Sequence, residues 1–320
     1  MPSIQEPFIV FIQNPIPQYV LVCLPALATI GTAPYSSLKK KMFWIFRCLG
    51  CPFTGLFYSC NTADNAIAIC IYWLSSKHFC IKGEEGISSP HCRPVGHHSM
   101  VIQPTTEQKV KMDHCISDPT ILERISSGVS LYYICVGIII GIARAVGPCI
   151  ETDWPYIPLT LAWTLPAVLK RVLGRKLVIK DPRKVLENEK ILINKYSETE
   201  VDDKNSTDTH VFITALASVL VPWIVVILAY FSPPIGFGCR SKFLSILCTI
   251  WTINSTIGYL YHIFGKEKYV SGGRIINVYF CASGCIISIL LFLLGLLSYS
   301  TSWWIDLFGN ICDISNACNV

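Results

Sequence analysis

Three uncharged apolar runs, residues 211–231, 243–264 and 275–297, constrain this chain more than any other feature. Each is long enough to cross a hydrocarbon core of roughly 30 Å as a helix rising about 1.5 Å per residue. A soluble core has no need of runs like these. Composition agrees, with 52% apolar residues, 15% charged residues and a mean hydropathy of +0.49, an oilier and less charged balance than soluble domains carry.

Two further runs extend the pattern. Residues 18–38 are uncharged, although Pro25, Gly31 and Pro34 predict an irregular helix, and residues 129–147 are broken only by Arg144. No Lys or Arg precedes Tyr19, and Glu6 lies there, so the first run is expected to be a retained span, not a cleaved signal. Residues 42–74, which contain Arg47 and Asp64, read either as one long tilted helix or as two short segments folding back near Cys60–Asn61. The expected fold is therefore all-α, a polytopic transmembrane helix bundle with seven or eight membrane segments.

The stretch GIARAVGPCIETDWPYIPLTLAWTLPAVLKRVLGRK, residues 141–176, reads as a helical hairpin. Thr152 or Asp153 precedes Pro155, a capping oxygen followed by a proline at an early helical position where its missing N–H costs nothing. Arg144 lies about one turn from Pro148 and is expected to snorkel or to pair with Glu151 or Asp153. The sharper alternative makes Arg144 and an acid a gate or an anion site.

Charge orients the chain. Residues 170–208 hold ten Lys or Arg, which the positive-inside rule assigns to the cytoplasm. Residues 75–128, with six basic and six acidic groups, fall on the same side, and the tail with Asp306 and Asp313 falls outside. The expected organisation is membrane segments in 1–74, a cytoplasmic connection in 75–128, a hairpin in 129–173, a second cytoplasmic connection in 174–209, three spans in 210–297 and an extracytoplasmic tail in 298–320.

The connections carry their own expectations. Lys170, Arg171, Arg175, Lys176, Lys180, Arg183 and Lys184 cluster beside the membrane and are expected to meet anionic lipid headgroups. Asp181–Pro182 begins a short helix in which Val185, Leu186, Ile193 and Tyr196 share a face, and the acidic residues 198–208 read as flexible. Residues 75–128 read as an irregular loop. Its His91, Cys92, His97 and His98 are a weak alternative as metal ligands, because their spacing fits no regular zinc pattern.

No metal, cofactor or nucleic-acid partner is implied. Among sixteen cysteines, only Cys312 and Cys318 are disulfide candidates, and the CLGC at residues 48–51 lacks a thioredoxin-like context. The glycosylation patterns at Asn205 and Asn254 fall in a cytoplasmic connection and a span, so neither is expected to be used.

Function has one suggestive pattern. At about 100° per residue, Ser245, Thr249, Thr252, Thr256 and Tyr259 share a narrow helix face. Packing is one reading; the other is the polar wall of a solute or ion path, with Asp64, Arg144, Glu151, Asp153 and His262 as ionisable partners. No catalytic motif emerges. The leading expectation is a transporter or channel-like protein for a small solute or ion, and the rival is a membrane sensor or scaffold acting through its cytoplasmic connections.

Overall fold

The computed structural model describes residues 23–35, 37–62, 66–82, 88–90, 100–146, 160–195, 201–231, 237, 239–264 and 270–297. The chain is predominantly helical. Among the described residues its α-helices are α1 (Leu24–Ile30), α2 (Leu38–Gly50), α3 (Pro52–Phe57), α4 (Ala66–Trp73), α5 (Thr106–Asp113), α6 (Ile121–Val146), α7 (Leu165–Val172), α8 (Pro182–Val185), α9 (Val201–Phe231), α10 (Cys239–Phe264) and α11 (Val270–Leu297).

Among the described residues, three helical stretches are long and apolar enough to cross a membrane: Ile121–Ala143, Thr209–Phe231 and Ser241–Ile263. A shorter apolar stretch, Ile275–Leu291, lies in α11. Their lipid-compatible faces are visible as exposed Phe212, Ile213, Leu220, Ile224 and Ile227 on α9 and exposed Ile246, Ile253 and Leu260 on α10. The buried faces meet in a core containing Trp163, Leu247, Trp251 and Ile287.

The N-terminal runs are less regular than membrane helices. Within 23–35 the helix is only seven residues long and ends at Gly31, ahead of a segment without regular structure around Pro34. The 42–74 segment breaks twice, at Cys51 between α2 and α3, and in a wider helical turn at Tyr58–Thr62. The second break falls where a fold-back is expected, near Cys60–Asn61. The first arises because Cys51 is extended (φ −133°, ψ 92°) ahead of Pro52, the conformation a residue before proline prefers.

All-α is too narrow a description. Strands β1 (Phe79–Lys82), β2 (Ser88–Pro90), β3 (Met100–Gln103) and β6 (Ile191–Lys195) form a four-stranded sheet in the order β2-β1-β6-β3. Strands β4 (Ile116–Ser117) and β5 (Leu177–Val178) pair separately. The central pair, β1 and β6, is parallel, with Cys80 opposite Leu192. Both expected cytoplasmic connections thus contribute to one α/β layer.

The helix expected from Asp181 onward stops after four residues, with Asp181 Oδ1 accepting from Arg183 N at 3.1 Å as its cap. Beyond it, Ile191 and Ile193 are both buried at alternate positions, a strand period, not a helical one. Residues 201–208 of the expected flexible acidic stretch are helical and form the first turns of α9, while 198–200 lie outside the described residues.

Candidate functional site

The break between α2 and α3 lies in the interior, with Cys48, Leu49, Cys51, Phe53 and Leu56 all buried. A helix interrupted there leaves carbonyl and amide groups without their usual partners, and such groups must be satisfied by side chains when water is absent. Pro52 contributes no N–H for the carbonyl four residues before it, and Phe53 N and Thr54 N donate to Ser255 Oγ and Cys51 O, so the carbonyls of Leu49 and Gly50 stay open to other donors.

Helix α10 supplies the partners. Trp251 Nε1 donates to Leu49 O at 2.7 Å and Asn254 Nδ2 donates to Gly50 O at 2.7 Å. The same amide nitrogen donates to Ser283 Oγ on α11 at 2.8 Å. On the far side of the break, Phe53 N donates to Ser255 Oγ at 3.4 Å, and the Cys51 thiol donates to Asn254 O at 3.4 Å. Groups from four helices meet at this point, near the middle of Ser241–Ile263 and of Ile275–Leu291.

Buried polar atoms are left over here, Arg47 Nε among them. Asn254 Oδ1 is buried with no hydrogen-bond partner among the described residues. Gly50 O fixes the amide's orientation, because flipping it would set two carbonyl oxygens against each other. An orphaned buried acceptor costs about 1–3 kcal/mol, so the site is suited to a ligand bearing a hydrogen-bond donor. Arg47, whose guanidinium lies over the Trp44 ring at 5.4 Å, brings positive charge one turn from Gly50. That charge disfavours a bare cation.

Close backbone approach makes the site possible. A Cβ on Gly50 would collide with Phe280 O and lie 2.8 Å from Gly284 N, and one on Gly258 would lie 2.9 Å from Cys51 Sγ. Beside the junction, buried His262 packs at a tilt against Phe57 at 4.5 Å and edge-on to Phe53 at 6.1 Å between ring centroids.

The hydroxyl stripe occupies the neighbouring face of α10. Ser245, Thr249 and Thr252 donate to the carbonyls of Ser241, Ser245 and Cys248 at 2.6, 2.7 and 2.7 Å. Thr252 also accepts from Trp223 Nε1 of α9 at 2.9 Å. Thr249 and Thr256 are exposed, while Tyr259 packs between Phe53 and Phe212 at 5.9 and 6.2 Å. Asn254 and Ser255 turn inward; neither belongs to the stripe, and the sequence marks Asn254 only by its glycosylation pattern and as an Asn in an apolar run.

Arg144 falls on the last turn of α6. Asp64, Glu151, Asp153, His91, Cys92, His97, His98, Cys312 and Cys318 lie outside the described residues. Among the described residues no cluster of His, Cys, Asp and Glu is built to hold a metal ion.

The basic cluster divides. Lys170 Nζ and Arg175 Nη1 donate to Cys60 O at 2.7 and 3.3 Å, and Arg171 donates to Thr29 O and Thr32 Oγ1 at 3.3 and 3.0 Å. Arg183 grips Asp181 with two bonds of 2.7 Å and covers the Tyr35 ring. Lys176, Lys180 and Lys184 are exposed. Comparison with known proteins finds no matching family model, no similar curated protein and no similar solved structure.

Proposed function

We propose that the chain is a multi-pass membrane protein, with seven or eight membrane segments and an extracytoplasmic C-terminus, that moves a small polar solute or ion through its helix bundle. The observation that carries this reading is the meeting of α2, α3, α10 and α11 around Asn254, whose Oδ1 is left without a partner among the described residues. Interrupted helices whose exposed backbone lines a mid-depth site are a recurring way for bundles to bind solutes. Of the hydroxyl stripe, Thr252 is taken as part of the path, being the member that ties α10 to α9.

Orientation follows from charge. The ten basic residues of 170–208 assign the α/β layer to the cytoplasm, and the β1–β6 pairing supports one side for both connections.

The test is a thermal-shift screen of small polar solutes and ions on the purified chain, followed by uptake of any hit into proteoliposomes. A true substrate stabilises the wild type by mass action and loses that effect in Asn254→Leu and Ser283→Ala. Uptake that survives both substitutions contradicts the reading. A second reading, a scaffold working through the α/β layer, rests on that layer drawing on both connections; uptake by the wild type counts against it.

A further inference from the structure

We infer that the corner between the start of α6 and the turn after α7 binds the phosphate group of an anionic phospholipid. The inference rests on reading Ile121–Ala143 as a membrane span, and not on transport.

Helix α7 ends in a closed turn: Gly174 adopts φ 85°, its N–H donates to Arg171 O at 3.0 Å, and Arg175 N donates to Lys170 O at 3.2 Å. This paired closure requires a left-handed residue, which glycine supplies without a Cβ penalty. Arg124 from the first turn of α6 lies over this glycine. A Cβ on Gly174 would meet its guanidinium, with Cζ 3.0 Å away. The chain thereby brings Arg124, from a distant part of the sequence, against Gly174, the residue that precedes Arg175 and Lys176.

Arg124 and Lys176 are both exposed, unlike Arg171, which is buried against the carbonyl of Thr29. The nearby acid on α6, Glu123, accepts from Thr120 N at 2.8 Å and Thr120 Oγ1 at 3.0 Å, and its charge is felt by Arg171; Asp118 is exposed. Around the cations stands an apolar collar: Ile121 is 77% exposed, Leu122 76%, Ile125 59% and Leu173 70%. A free phosphate would use the cations and ignore the collar. A phospholipid uses both, its phosphate meeting the guanidinium and ammonium groups and its acyl chains covering the apolar side chains.

The test uses the full chain purified in nanodiscs of mixed phosphatidylglycerol and phosphatidylcholine, with retained lipid read by native mass spectrometry. The wild type is expected to retain phosphatidylglycerol preferentially. Arg124→Ala and Lys176→Ala each lower that retention about fivefold, Leu173→Ser lowers it with no change of charge, and Lys109→Ala leaves it intact. Unchanged preference in the double Arg124→Ala/Lys176→Ala variant overturns the inference. So does inorganic phosphate that stabilises the detergent-solubilised protein as well as the lipid does, since that identifies a free anion. Release of the chain from membranes by alkaline carbonate would instead overturn the span reading.

Discussion

Gly50 and Gly284 meet where α2 crosses α11, so closely that a Cβ on Gly284 would collide with Phe46 O and lie 2.9 Å from Gly50 N. Neither helix offers a flexible side chain that yields, because the atoms met are backbone. Gly284→Ala is therefore expected to destabilise the chain by about 1–3 kcal/mol, the usual cost of overpacking. Gly128 of α6 is the control: its Cβ would meet nothing within 4 Å, and Gly128→Ala should stabilise by about 0.5–1 kcal/mol through helix propensity. Thermal unfolding in detergent reads both signs.

Trp251 and Thr249 separate a tertiary bond from a local one. Trp251→Phe keeps a ring but leaves Leu49 O without its indole donor, and should cost about 1–3 kcal/mol. Thr249 is exposed and bonds within its own helix, so Thr249→Val should change stability by less than about 0.5 kcal/mol. Equal effects in unfolding measurements would contradict this division of the helix.

The α/β layer predicts a cross-link. Cys80 faces Leu192 across the parallel β1–β6 pair, a separation within reach of a disulfide. With the other cysteines replaced, Leu192→Cys should give an oxidised species with altered gel mobility that reductant reverses. Failure to cross-link, with the two thiols labelled from opposite sides of the membrane, would separate the connections.

Asp181 gives the layer an acid-sensitive contact. Partial burial pushes its carboxyl up, but the Arg183 guanidinium and its hydrogen bonds outweigh that and hold the carboxyl below its usual value. A depressed carboxylate contributes stability above its unfolded pKa of about 3.9, and that contribution is lost as pH falls through the folded value. Asp181→Asn should therefore flatten the acid side of a stability–pH profile below about pH 4 and leave its shape near neutrality unchanged.

The long apolar helices were legible because their signal is local: an uncharged run of sufficient length needs no partner to be recognised. The sheet was not, because Cys80 and Leu192 lie in different connections and each strand is too short to establish a period alone. Ile193 could be fitted to a helical face with Leu186 until pairing with Ile81 gave it a strand. The candidate site was half legible. Periodicity found the polar face of α10, but the side chains that answer the helix break are Trp251, Asn254 and Ser255, defined by where Gly50 approaches and not by any regular spacing.

The most direct test asks whether the junction around Asn254 communicates with water. Ser283, which receives the Asn254 amide, is replaced by Cys in a cysteine-free chain in sealed vesicles and treated with a small membrane-impermeant thiol reagent. Labelling from one side, slowed by the transported solute, is the predicted result. No labelling from either side, with an exposed loop cysteine labelling normally, would show a sealed bundle and contradict a solute path.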